Sequence, residues 1–209
     1  LQQALETMLA MQHRMNTRIH EQWVDQNFAW YRAIWIECAE LLEHYGYKWW
    51  KKQDPDLAQV QLEVIDIWHF GMSALLGTGR SQSDIAADIA SQVAEYQYRQ
   101  LAVPEATETL AQHALETKSF SAEHFWELML ASGLDFEQLY SAYVGKNVLN
   151  FFRQDHGYQE GLYQKNWDGR EDNEHLVEVV ESLDKSADDF AEQIYAALAS
   201  RYSKLCAVS

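Results

Sequence analysis

The sequence predicts an all-α protein, and three observations predict it. Only two prolines and nine glycines interrupt 209 residues. Apolar side chains recur with the 3.6-residue period of a helix along nearly the whole chain. Helix starts and stops also stand where that period breaks, with Asp54-Pro55, Ser83 and Asp135 as starts and Gly46, Gly133 and Gly157 as ends. The chain has no linker, low-complexity tract or repeat, so one domain over residues 1–209 is expected.

The first helix is expected over roughly Leu1 to His20, with Leu5, Leu9, Gln12, Asn16 and Ile19 along one stripe. A second runs from about Asn27 to Tyr45 and ends near Gly46. The segment YKWWKK then sets Trp49 and Trp50 between basic residues. It reads either as a core plug with snorkelling lysines or as a lid over a ring-shaped ligand. Asp54-Pro55 opens a third helix that ends at Leu76, before the Gly77-Thr78-Gly79 turn. A fourth is expected from Ser83 to about Gln100, where Val103-Pro104 breaks the pattern. Shorter helices follow at about 104–117 and 121–132. Asp135 caps a long helix to about His156. The irregular stretch YQEGLYQKNWDGREDN comes next, too rich in polar chemistry for a plain connector. Two last helices are expected at about 172–183 and 187–204.

Composition narrows the function. A net charge of −16 argues against a nucleic-acid duplex as partner, since neutralising phosphates requires a basic surface. No apolar run approaches the roughly 18 residues of a membrane span. The stretch LQQALETML is not a basic region followed by an apolar core, so no secretory signal is expected. Two cysteines, Cys38 and Cys206, make neither a metal-ligand spacing nor a disulfide framework, which points to a cytoplasmic protein.

Four carboxylates carry the most specific signal. Glu37 and Glu40 sit three apart, as do Glu63 and Asp66, so each pair shares a helix face. Both pairs lie in otherwise apolar runs, where carboxylates repel one another and lose water unless a cation sits between them. An antiparallel hairpin of the two helices would set the pairs face to face. The result would be a cage of oxygen ligands suited to a hard divalent cation such as Mg²⁺, shared with substrate phosphates. Di-iron bundles carry Glu-x-x-His on each of two helices. Here Asp66-x-x-His69 matches only approximately and Glu40-x-x-x-His44 has the wrong spacing. No glycine-rich phosphate loop or nucleophile motif competes.

Three further groups could bind. Gln12 and Asn16 either edge the core or read a base, since each amide offers a donor and an acceptor. Lys146, Asn150 and Arg153 share a face of the long helix. His69 and Phe70 follow the second acid pair and either touch a bound sugar or simply pack, with packing the favoured reading.

The pattern Glu37-x-x-Glu40 then Glu63-x-x-Asp66 resembles the metal-binding signature of the all-α nucleoside triphosphate pyrophosphohydrolases. MQHRMN, YGYKWWKK, EVIDIWHF and the late block KNVLNFFRQDHGY…GLYQKNWDGREDN extend the resemblance to the dimeric dUTPases. The resemblance implies a helical bundle with antiparallel metal-binding helices, and Mg²⁺-dependent hydrolysis of dUTP, and of dUDP, to dUMP. Two or more Mg²⁺ ions would be held by Glu37, Glu40, Glu63 and Asp66 and would activate the attacking water. Phosphate contacts would come from Lys146, Asn150, Arg153, Tyr158, Lys165 and Asn173. Gln12 and Asn16 would read uracil, with Trp49 or Trp50 closing the pocket. A homodimer is implied too. The alternatives are a pyrophosphohydrolase for another nucleotide, dCTP or a damaged one, and a catalytically silent nucleotide-binding helical protein.

Overall fold

The computed structural model describes residues 1–185, 187 and 189–206, with the side chains of 205 and 206 outside the description. The described residues form nine α-helices, one 3₁₀ turn and a two-stranded hairpin, so the fold is all-α as expected. They group into two compact units, Leu1–Leu139 and Tyr140–Ser209.

The first unit holds α1 (Gln2–Ile19), α2 (Trp30–Tyr45), α3 (Leu57–Leu76), α4 (Gln82–Glu95), α5 (Val103–Thr117) and α6 (Ala122–Ala131). Its core joins Leu5, Met8 and Leu9 of α1, Ile34 and Leu41 of α2, and Val60, Val64, Ile67 and Trp68 of α3. Each is at most 1% exposed; burial of one such side chain is worth about 2 kcal/mol. Trp68 stacks on Phe125 at 4.7 Å and donates its indole N–H to Met8 Sδ at 3.4 Å. Gly71 lets Phe120 lie against α3, because a Cβ there would sit 2.5 Å from the Phe120 ring.

Helices α2 and α3 are antiparallel neighbours. Trp30 at the start of α2 stacks on Phe70 near the end of α3, and His44 at the end of α2 meets Asp56 before α3. The connection is tied at its neck. Asp56 N–H donates to His44 O at 2.9 Å, and Lys48 N–H to Gln53 Oε1 at 2.8 Å. Gly46 ends α2 with φ +92° and packs against Gln53, where a Cβ would come within 2.9 Å.

Several boundaries differ from expectation. A 3₁₀ turn, Trp23–Gln26, precedes α2, which therefore starts late. Asp56, not Asp54, caps α3 by accepting from Gln59 N–H. Ser81 caps α4 in the same way. That helix stops at Glu95 and not near Gln100. Buried Glu127 accepts from the backbone N–H groups of Arg99 and Leu101, each at 3.0 Å, and holds that stretch non-helical.

The long helix α7 (Phe136–Asp155) starts with Asp135 and Gln138 capping one another reciprocally. From Tyr140 it belongs to the second unit, with the hairpin β1 (Asn166–Trp167) and β2 (Arg170–Glu171), α8 (Asp172–Ser182) and α9 (Phe190–Cys206). The hairpin falls in the stretch expected to be irregular. Its Trp167 is fully buried among Phe152, Tyr202 and His175. The expected start of the last helix, near 187, falls between residues 186 and 188, which lie outside the described residues.

Candidate functional site

The antiparallel packing of α2 and α3 brings Glu37, Glu63 and Asp66 together, with one carboxylate oxygen from each within 4.8 Å of the others. Glu63 is 8% exposed, and Glu37 is hydrogen-bonded to it. Burial, that bond, and the charges of Asp66, Glu63 and Glu40 push Glu37 up to about 8. Burial and the charges of Asp66 and Glu40 also raise Glu63, against the pull of the Glu37 bond and of His44. Near neutrality Glu37 therefore keeps a proton and donates it to Glu63. His44 Nε2 lies 3.5 Å from Glu63 Oε1 and supplies some positive charge when protonated. Clustered oxygen donors that must share a proton to tolerate one another fit a hard divalent cation, which would replace that proton.

Glu40 is exposed and stands outside the group of three, although its charge reaches both Glu37 and Glu63. The expected apolar setting holds for the second pair only. Around the first pair, Trp35, Ile36 and Ala39 are exposed, because α2 turns that side away from its core.

Gln12 and Asn16 are buried, and they bond to one another and to α3. Gln12 Nε2 donates to Asn16 Oδ1 at 2.9 Å and to Ser73 Oγ at 3.1 Å. Asn16 Nδ2 donates to Ser73 Oγ at 3.0 Å. Gln12 Oε1 lies 2.8 Å from His69 Nδ1; an amide oxygen only accepts, so His69 carries its proton on Nδ1. His69 packs as expected, and Phe70 stacks on Trp30.

Trp49 is 90% exposed and Trp50 60%, edge-to-face at 5.6 Å. This overturns the core-plug reading of YKWWKK, since the tied neck holds both indoles outside the core. Cys38, beside Glu37, is buried, and burial followed by the charge of Glu37 pushes its thiol up to about 12.

In the second unit Lys146 is buried, and Arg153 is engaged by Asp172. Arg153 Nε and Nη2 each donate to Asp172 at 2.8 Å, and Nη1 reaches Asn150 Oδ1 at 3.3 Å. Tyr163 O–H completes the set by donating to Asp172 at 2.8 Å. Burial alone would lower the Arg153 pKa, but the bonds and charge of Asp172 outweigh it and hold the guanidinium firmly ionised. Tyr158 is half-exposed under the Arg153 guanidinium. Lys165 pairs with Glu171 at the surface. Asn173 Oδ1 is buried without a hydrogen-bond partner among the described residues.

Sequence reasoning missed His44 as a neighbour of Glu63, Ser73 and His69 as partners of the amides, and Asp172 as partner of Arg153. The first was visible only as a failed di-iron spacing. The others depend on tertiary contacts that no local pattern announces. A family model described as dUTPase matches residues 4–158. No curated protein matches the chain.

Proposed function

The chain belongs to the dUTPase family and hydrolyses dUTP as a dUTP diphosphatase, and we propose that it does so with Mg²⁺. The reaction yields dUMP, with pyrophosphate from dUTP, and dUDP is a second substrate. One observation carries the metal reading: Glu37, Glu63 and Asp66 bring one carboxylate oxygen each within 4.8 Å of the others in a partly buried site. These three, with Glu40 at the exposed rim, would hold the Mg²⁺ ions. When bound, Mg²⁺ supplies positive charge that draws phosphate oxygens and makes a nearby water more acidic.

The protein's own groups do the rest. One carboxylate of the set orients the attacking water and takes its proton. Gln12 and Asn16 read the uracil edge, and the exposed Trp49 and Trp50 are available to close over the base. Lys146, Asn150, Arg153, Tyr158, Lys165 and Asn173 are proposed as phosphate contacts, on their chemistry and the resemblance of the late block. Arg153 has its fork engaged by Asp172, so a phosphate must share it or displace that carboxylate. Exposed Trp35 and Ile36 offer an apolar area on α2 that a second copy could cover, which supports a homodimer. Cys38 as a free buried thiol suits the cytoplasm. The role that follows is to limit uracil in DNA and supply dUMP.

The test is pyrophosphate release from each deoxynucleoside triphosphate, with Mg²⁺ and with EDTA, by the wild type and Glu63→Gln. Preference for dUTP, loss of activity in EDTA and loss in the variant are expected. Full activity of Glu63→Gln would remove the acid cluster from the reaction.

A further inference from the structure

We propose that Ser73 is a positioning residue for base selection: it fixes which end of the Asn16 and Gln12 amides can face a nucleobase. The proposal rests on the reading of those amides as base contacts. Ser73 is fully buried on α3 and its hydroxyl is fully directed. It donates to His69 O, one turn earlier, at 2.9 Å. Its only proton is thereby used, so toward α1 its oxygen can act only as an acceptor. Both amides meet it with their NH₂ ends, at 3.1 Å from Gln12 and 3.0 Å from Asn16.

A primary amide that turns by 180° about its last torsion exchanges its donor and its acceptor. At Asn16 the turned amide would set two acceptor oxygens, Oδ1 and Ser73 Oγ, at about 3.0 Å. It would also oppose the NH₂ groups of Asn16 and Gln12 at about 2.9 Å. Both contacts are repulsive. Gln12 is held in turn by His69 Nδ1–H on its oxygen. The directions of the three bonds among Ser73, Asn16 and Gln12 thus follow from the Ser73 proton lying on the His69 carbonyl.

This orientation matters because uracil and cytosine differ by the same exchange. Uracil presents an N3–H donor beside an acceptor oxygen; cytosine presents an N3 acceptor beside an amino donor. An amide edge pairs with uracil in one orientation and with cytosine when turned. A hydroxyl that contacts no base in this arrangement would therefore exclude cytosine by preventing the turn.

The test measures kcat/KM for dUTP and dCTP in the wild type, Ser73→Ala, Ser73→Thr, Ser73→Cys and Asn16→Ala. Ser73→Ala removes the acceptor and should lower the dUTP-to-dCTP ratio by roughly tenfold, the value of a lost directing hydrogen bond. Ser73→Thr keeps a hydroxyl able to bond the carbonyl one turn back, and should restore most of the ratio. Ser73→Cys, whose sulfur is a weak acceptor, should shift it as alanine does and serves if the alanine variant does not fold. An equal fall for both nucleotides in the alanine and cysteine variants, with the ratio unchanged, would mean packing alone and overturns the proposal. If Asn16→Ala also leaves the ratio unchanged, the base reading itself fails. If Asn16→Ala collapses the ratio while the Ser73 variants keep it, the base reading stands and only the positioning role is lost.

Discussion

Replacing Glu37 by glutamine should stabilise the metal-free protein while removing its metal affinity and turnover. The side chain keeps its shape, and its amide can donate to Glu63 as the shared proton does. In the folded protein the Glu37 carboxyl titrates at about 8, far above its value of 4.5 in an unfolded chain. Between those values the folded state binds more protons than the unfolded state, so stability falls as pH rises and levels off above about 8. Each pH unit of that window is worth about 1.4 kcal/mol, or about 5 kcal/mol if fully expressed. The carboxyl is partly open to solvent, and screening reduces this to about 1–3 kcal/mol. In a chain of this size that is roughly 3–10 °C in Tm. Thermal melts in EDTA from pH 5 to 9 should show the wild type losing stability with pH and Glu37→Gln losing much less, with the variant ahead at pH 9. Adding Mg²⁺ should raise the wild-type Tm and leave the variant's almost unmoved. Equal pH slopes for the two proteins, or a variant that melts lower at pH 9 in EDTA, would refute this account of the acid cluster.

Three other outcomes test other parts of the molecule. Asp172→Asn leaves the Arg153 guanidinium, 11% exposed, without its ionised partner; urea unfolding should show a loss of about 3 kcal/mol, and a loss below about 0.5 would make the pair dispensable. Gly71→Ala drives a methyl into the Phe120 ring and should cost about 1–3 kcal/mol. Combining it with Phe120→Leu should recover part of that loss, and strict additivity would show that the two sites do not meet. Cys38, with its thiol held near 12 and buried, should resist alkylation at pH 8 in a Cys206→Ser background until the protein unfolds. Rapid labelling of the native protein would contradict that burial.

Much of the fold was legible because helices announce themselves locally. Gly46, Gly133 and Gly157 all adopt positive φ at helix ends, as their positions in the pattern suggested. The end of α4 was not legible, because Glu127 in α6 captures backbone N–H groups that would otherwise continue the helix. Three of the four acids could be brought together on spacing alone, since two helices with one short connection have few ways to pack. The apolar letters around Glu37 misled: Ile36 and Ala39 count as core residues in a pattern yet lie exposed. Ser73 carried no signal, because its importance comes from where its single proton goes. Asp172 was equally silent: a helix was expected to start there, but nothing local announces Arg153, nineteen residues earlier, as its partner.

The tied neck between α2 and α3 also sets an order of events. The acids meet across one short connection, whereas Ser73 reaches Asn16 and Gln12 across separations of 57 and 61 residues. Closing a short loop costs less chain entropy and is faster than joining distant segments. The nascent hairpin should therefore bring its carboxylates together before the network of Ser73, Gln12 and Asn16 forms. A divalent cation that neutralised them at that stage should then speed folding as well as raise stability, so the rate of refolding should depend on the cation and not the melting temperature alone.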